Sequence, residues 1–489
     1  NSLKMLYLSL FFSNFSIEVV LTCFCLFLLL VYNVRVRHGG TSGTLPGKDG
    51  FPIVGCFPML GKHKEKVLMK WSTSSLGPMF YIRLGTSKVL VLNGYDAIKE
   101  ALEQKPLAIA GRVESKFLDN GLIWKEQRKF GQTTLGGLGM GKQSFQSKIR
   151  DEFNCLAATL ESELSINGPK GVNFTSMLRL YAANIISSLV FNQTFDSTWF
   201  EDAIPQLTPQ FLIQMMYMPW LKYLPIVWKQ LELSKRCRRD KVKIFQALVD
   251  KHRKSRDPND PRDFVDCYLN VMEKKQGKNS SFTEKQLLYY IVDLFLAGTE
   301  TSANTNAWAI LLVLKNPQVK AKLRSELEAF GKSPTLEDEA KMPYTRAVMQ
   351  EVFRYRTSAP LNIVARRTTS DLELKGYKVP ANMPVIANLW SVHHDPLTWA
   401  PYPETFRPER HLDGDGNFIP NDHVMPFSVG ARSCIGKNLA KNEVFIFITS
   451  IFSQFDLELA DGCHVDNMDG DSGMLLHPPE YRVKGSIRV

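Results

Sequence analysis

"FSVGARSCIGKNLA" runs from Phe427 to Ala440 and sets one cysteine, Cys434, in a glycine-punctuated loop directly ahead of an apolar-periodic helix. Arg432 stands two residues before the thiol. Backbone N–H groups in such a turn, and the positive end of the helix that starts near Ile435, both favour a thiolate. A structural zinc site wants four Cys/His ligands at short spacings, and the nearest candidates, His423 and Cys463, do not provide them. A nucleophilic thiol wants a basic partner that the local sequence does not identify. A metal ligand acting as a single thiolate remains, and haem iron accepts a cysteine in that role. Gly430 and Gly436 are then expected to let the backbone lie against a flat macrocycle.

The rest of the chain suits a large globular protein. It has 489 residues, 44% of them hydrophobic and 22% charged, enough to bury a substantial core. Its eight cysteines form no regular framework, which points to a reducing compartment. The net charge of +11 suits an acidic partner or an anionic membrane as well as nucleic acid, so only its placement can choose. Val19 to Tyr32 is apolar apart from Thr22 and, with the stretch from Met5, is long enough to cross a bilayer despite Glu18. A cleaved signal peptide is the rival reading, but no small-residue cleavage site follows. Arg35, Arg37 and Lys48 outnumber Lys4 on the other flank, which orients the large C-terminal part to the cytosol. We therefore expect a membrane anchor over residues 1–34, a basic Pro/Gly-rich linker over 35–58 that cannot be helix, and a catalytic domain over 59–489.

Met79 to Leu92 reads as two strands around a Gly-Thr-Ser turn, and most of the chain beyond Leu92 reads as helix. One continuous helix is expected from Thr283, whose capping box includes Gln286, to Lys315, with Asn316-Pro317 as its stop. Inside it, Ala297 and Gly298 precede Thr301 by one turn and leave a gap with a hydroxyl at its edge, unless they serve close helix packing.

Phe427-x-x-Gly430-x-Arg432-x-Cys434-x-Gly436 resembles the haem-binding signature of the cytochrome P450 superfamily, one of the more specific short motifs known. Trp124-x-x-x-Arg128, Ala297-Gly298-x-Glu300-Thr301, Glu351-x-x-Arg354 and "FRPER" ending at Arg410 follow in that family's order. The resemblance runs from about Gly50 to the C-terminus. "NLWSVHHDPLTW", "GMGKQS" and "VLNGYDAIKEAL" are similar to the animal microsomal branch of steroid- and drug-hydroxylating enzymes.

The resemblance implies a mainly α fold with small β-sheets behind an N-terminal transmembrane helix. It implies haem b with Cys434 as axial ligand, and Trp124, Arg128, Arg366 and Arg432 at the propionates, Arg367 competing with Arg366. Ala297, Phe427 and Gly436 are implied beside the cofactor, Glu300 and Thr301 as an acid–alcohol pair delivering protons to bound dioxygen, and Glu351, Arg354 and Arg410 as a structural triad. The implied activity is monooxygenation of a lipophilic substrate with electrons from an NADPH-dependent cytochrome P450 reductase, cytochrome b5 being a second candidate donor, at the endoplasmic reticulum membrane. A haem-thiolate isomerase or dehydratase acting on a peroxide, and a non-catalytic haem carrier or sensor, are the alternatives; intact Glu300 and Thr301 argue against both. Steroid, fatty acid and xenobiotic substrates all satisfy the sequence.

Two decoys are set aside. Gly136 to Gln143 has P-loop glycine and lysine spacing but ends in Gln143 and follows no strand, and no strand–GxGxxG–helix unit binds a nicotinamide. Electrons then come from a partner, and Lys125, Arg128, Lys129, Lys437 and Lys441 are expected on one basic docking face. Phe211 to Trp228 is expected either to roof the substrate channel and dip into the membrane or to pack in the core. His411 and Lys437 depart from the family's usual residues, and the stretch between Arg112 and Trp124 is shorter than the family's.

Overall fold

The computed structural model describes residues 45–112, 121–197, 215, 217–275, 280–331, 333–362 and 366–488. The expected anchor over 1–34 lies outside the described residues, among which no helix is long and apolar enough to cross a membrane. The class is the expected one: long helices stacked beside small sheets.

Six strands form the main sheet: β1 (Gly47–Lys48), β2 (Met79–Leu84), β3 (Ser87–Asn93), β4 (Gly111–Arg112), β5 (Arg366–Arg367) and β8 (Pro384–Asn388), in the order β1-β2-β3-β8-β5-β4. β6 (Leu372–Leu374) and β7 (Tyr377–Val379) make a separate hairpin. β2 and β3 are the strand pair expected around Gly85, antiparallel with Met79 opposite Leu92. β3 then pairs in parallel with β8, Asn93 opposite Asn388, and the two side chains hydrogen-bond at 2.8 Å.

The linker expected over 35–58 needs correction where it is described. Proline lacks an N–H but keeps its carbonyl, and Pro46 O accepts from Tyr81 N at 2.9 Å as β1 joins the sheet. Cys56 is fully buried, and Phe57–Leu60 is a helical turn with proline at its start, where a missing donor costs nothing. Residues 45–58 are thus part of the folded body.

The helices that position the site are α1 (Gly121–Gly137), α2 (Gln146–Asn167), α3 (Thr175–Val190), α4 (Pro225–Ser255), α5 (Phe264–Lys274), α6 (Glu284–Lys315), α7 (Pro317–Phe330), α8 (Pro343–Tyr355) and α9 (Lys437–Gln454). α6 is the long helix expected, about 48 Å at 1.5 Å per residue. Thr283 caps it, its Oγ1 accepting from Gln286 N at 3.2 Å. From Ser302 to Val313 every side chain is buried, as expected of a helix that runs through the core. The C-terminal segment holds this stretch: Trp308 Nε1 donates to Leu476 O at 3.0 Å and Tyr481 Oη to Ala307 O at 2.8 Å. β9 (Phe455–Leu459) and β10 (Val483–Ile487) pair antiparallel beyond α9.

The Ala297-Gly298 pair divides its work. A side chain on Gly298 would meet Ile186 of α3 at 2.5 Å, so Gly298 serves close helix packing. Ala297 is exposed on the other side, together with the hydroxyl of Thr301.

Candidate active site

The Cys434 loop is tied to its surroundings mostly by backbone. Cys434 N donates to Phe427 O at 2.9 Å, and Ser433 N to Gly430 O at 3.0 Å. Gly430 has φ +76°, and a Cβ there would lie 1.7 Å from Leu102 O. That glycine is required by the chain behind the loop, not by a macrocycle in front of it. Gly436 does face the thiol: an added Cβ would sit 3.9 Å from Cys434 Sγ. Phe427 sets its ring edge-on to Phe353 of α8. His393, wholly buried, accepts from Met425 N at 2.9 Å and braces the approach to the loop.

Cys434 is exposed. Burial around the sulfur pushes the thiol up, while the Gly436 N–H and the charges of Arg128 and Lys437 pull the other way. A bound metal cation adds the further positive charge that deprotonates a coordinating thiol.

Around this loop the structure gathers four arginines. Arg112 on β4 and Arg366 on β5 are direct register partners across an antiparallel ladder, where like charges repel. Arg366 Nη2 donates to Ser428 Oγ at 3.0 Å and Val429 O at 3.2 Å, yet its Nε and Nη1 are buried without a partner. Burial, then Arg112 and Arg128, lower Arg366 to about 9. Burial and then Arg128 lower Arg112 to about 10. Arg128 on α1 donates to Ser433 O at 2.7 Å. Arg432 donates from Nε to Ala110 O at 2.9 Å and lays its guanidinium on the Trp124 ring, 3.7 Å from the centroid.

Of the residues expected at the propionates, Trp124, Arg128, Arg366 and Arg432 therefore all reach the Cys434 loop or its supports. Arg366, rather than Arg367, bonds to the loop. Arg112 was missed, because only the pairing of two strands far apart in sequence brings it there. The buried guanidinium of Arg366, with Nε and Nη1 unpartnered among the described residues, fits an anionic ligand, and the two carboxylates of haem b suit the arginines of this loop in charge and donor geometry. Arg128 is correspondingly removed from the expected docking face, whose remaining lysines, Lys125, Lys129, Lys437 and Lys441, are exposed.

The acid–alcohol pair is not brought together. Thr301 Oγ1 donates to Ala297 O at 2.6 Å on the exposed side of α6. Glu300 instead accepts from Arg179 Nε of α3 at 2.8 Å. Adjacent residues on a helix point about 100° apart, so one can face the site while the other faces a neighbouring helix.

The triad is a buried network. Arg354 grips Glu351 through Nε at 2.8 Å and Nη2 at 2.7 Å, and Arg410 Nε donates to Glu351 Oε1 at 3.1 Å. His411 is a fourth member that sequence reasoning set aside as a departure: its Nε2 donates to Glu351 Oε2 at 2.9 Å, while Gln350 donates to its Nδ1. Burial pushes Glu351 up, but hydrogen bonds from Arg354 and His411 prevail and hold it at about 2.

The glycines of the P-loop-like stretch serve the fold. Gly136 and Gly137 end helix α1, and Gly141 packs against Asn438. In the apolar run at 211–228, where described, Tyr217 and Met218 are buried, whereas Trp220, Tyr223, Leu224 and Trp228 are exposed.

Comparison with known proteins gives the family. The family model for cytochrome P450 matches residues 45–485. Cytochrome P450 2C5 of Oryctolagus cuniculus is 34% identical over 496 residues, covering 96% of this chain and 98% of its own. Cytochrome P450 2C20 of Macaca fascicularis is 33% identical, with coverages of 95% and 98%. Cytochrome P450 2C2 of Oryctolagus cuniculus is 35% identical over 493 residues, again covering 95% and 98%.

Proposed function

This chain belongs to the cytochrome P450 family, and from that premise we propose that Cys434 is the axial thiolate of its haem b and that Arg112, Arg128, Arg366 and Arg432 hold the propionates. The protein is a haem-thiolate monooxygenase that places one oxygen atom of O2 in a lipophilic substrate, with electrons from a reductase. The observation that carries the residue assignment is the set of arginines, Arg366 fully buried and in strand register with Arg112, around the loop that presents the exposed thiol.

When bound, the haem supplies dioxygen activation, with thiolate donation favouring O–O cleavage. The chain's own residues do the rest. Gly436 directs its N–H at the sulfur and starts α9, whose N-terminal dipole favours the same negative charge. Ala297 keeps the exposed face of α6 free of bulk. Thr301 holds a proton at Oγ1, shared with Ala297 O, and can pass it on while accepting another through its free lone pair. Glu300, bound to Arg179, reaches that hydroxyl only by leaving its ion pair, so Thr301 is the nearer proton-handling group.

Residues 1–34 serve in this reading as a single-pass anchor in the endoplasmic reticulum membrane, with the domain cytosolic. Exposed Trp220, Tyr223, Leu224 and Trp228 support a second contact with the lipid surface, where amphipathic aromatics are favoured. Exposed Lys125, Lys129 and Lys437 support docking of an acidic redox partner, NADPH-cytochrome P450 reductase first and cytochrome b5 as well.

The test is the absorption spectrum of the reduced, carbon-monoxide-bound protein beside Cys434→Ala. A strongly red-shifted Soret band in the parent, absent from the variant, is the expected result. A shorter-wavelength band in well-folded parent protein removes Cys434 from the iron.

A further inference from the structure

Behind the face of α6 that carries Thr301 runs a second, buried polar face. Thr299, Ser302 and Asn306 follow at i, i+3 and i+7 and so line one side of the helix. They are 0%, 6% and 0% exposed, and Thr299 Oγ1 and both amide atoms of Asn306 have no partner. Ser302 Oγ donates at 2.9 Å to Oε2 of Glu443, which lies in α9, the helix that begins just after Cys434. Glu443 is 2% exposed and its Oε1 is unpartnered. A buried carboxyl without a cation is costly when charged and cheap when protonated.

We propose that Glu443 is a positioning residue for oxygen chemistry: a proton-bearing carboxyl that clamps Ser302 and thereby sets the turn of α6 that presents Thr301. The inference rests on the haem-thiolate reading and adds to it a residue outside the expected site. Direct contact between α6 and α9 is what lets the clamp act, since α6 carries the hydroxyl and α9 begins just after the thiol. The groups facing Glu443 are consistent with it. α6 offers hydroxyls and amides, α3 offers the Tyr181 phenol, unpartnered and buried, and α2 offers Glu152 beyond that phenol, hydrogen-bonded to Asn184. None is a cation. Burial accordingly raises Glu443 to about 8, with the Ser302 bond acting the other way. The unpartnered atoms of Thr299, Asn306 and Glu443 complete a polar seam of the kind that ordered water occupies.

A raised carboxyl binds its proton in the folded state and releases it on unfolding above about 4.5, so it costs stability progressively from there to about 8. Glu443→Gln keeps the acceptor for Ser302 and cannot ionise. We expect an infrared band of a protonated carboxyl in the holoenzyme at pH 7 that the glutamine variant lacks, and a stability advantage of that variant that grows between pH 5 and pH 8. Ser302→Ala and Glu443→Leu should keep the red-shifted carbon monoxide band yet raise the peroxide share of NADPH consumption about fivefold, the effect of one lost buried hydrogen bond. Glu443→Gln should remain coupled, rescuing what the leucine variant loses. If Glu443→Leu does not fold, Ser302→Ala and the glutamine variant carry the test. A carboxylate already ionised at pH 7, or a Ser302→Ala enzyme coupled like the parent, overturns the assignment. Absence of the red-shifted band from the parent would overturn the haem-thiolate reading instead, and leaves the infrared titration standing on its own.

Discussion

Arg179 of α3 holds Glu300 by both Nε, at 2.8 Å, and Nη2, at 2.6 Å, turning the carboxylate away from the Thr301 hydroxyl beside it in sequence. The two residues should then behave differently. Thr301→Ala is expected to retain haem while product formation falls by up to about 100-fold, the low end of what a placed proton donor supplies, with peroxide in its stead. Glu300→Gln should cost less than about 1 kcal/mol of stability, since the ion pair is partly exposed, and should uncouple far less. Peroxide release per NADPH measured on both variants decides it; equal uncoupling would return Glu300 to the relay.

The opposed arginines Arg112 and Arg366 make a prediction with two signs. Leucine at 366 removes a buried, repelled charge, so haem-free protein should melt at a higher temperature. The same change removes donors from the propionates and should weaken haem affinity by about 1.5–3 kcal/mol, the worth of a hydrogen bond to a charged group. Calorimetry of the apo form and haem transfer to apomyoglobin measure the two halves. A variant that is destabilised in both forms would show that the charge is satisfied within the protein.

Glu351 and His411 predict acid sensitivity. Glu351 is held at about 2 against its usual 4.5, so its contribution is complete above 4.5 and is lost as pH falls towards 2. Burial lowers His411, partly offset by Glu351, so its contribution also declines as pH falls below its ordinary range. His411→Phe should cost about 1–3 kcal/mol by leaving Glu351 short of a donor. Glu351→Ala should cost about 3–5 kcal/mol, because Arg354 would be left buried without its partner. Denaturant melts at neutral pH give these values; a neutral His411→Phe would remove the histidine from the network.

The exposed aromatics after Tyr217 predict a membrane contact independent of the N-terminus. Protein lacking residues 1–34 should still bind anionic vesicles, and replacing Trp220, Tyr223 and Trp228 by serine should abolish most of that binding without changing the carbon monoxide spectrum. Vesicle co-sedimentation reads it out, and unchanged binding by the serine variant would assign these residues another purpose.

Local chemistry was legible in the sequence, and register was not. Thr283, Gln286 and the Asn316-Pro317 stop mark α6 because caps and breakers act within a turn. The Cys434 loop declares itself for the same reason, as do Met79 to Leu92. Arg112 escaped notice because its meaning depends on facing Arg366 across a strand pair. Glu443 escaped because nothing around it in sequence separates a buried acid from a surface one; its apolar neighbours on α9 are a weak sign at best. Gly430 reads in the sequence as room for the cofactor and Gly298 as either a gap or close helix packing, whereas each makes room for protein behind it. His411 looks like a departure in the sequence and is a donor to Glu351 in the fold.

The pairing of β3 with β8 has a consequence during synthesis. Asn93 and Asn388, which bond across that pair, are 295 residues apart. At ~5–20 residues per second the ribosome needs roughly 15 to 60 s to make the intervening chain. For that time the apolar β3, Val89 to Leu92, has β2 on one side and an open edge on the other. Substitutions in Val385 to Asn388 should therefore show first as poor yield and chaperone dependence of the nascent chain, and only then as altered catalysis in whatever folds.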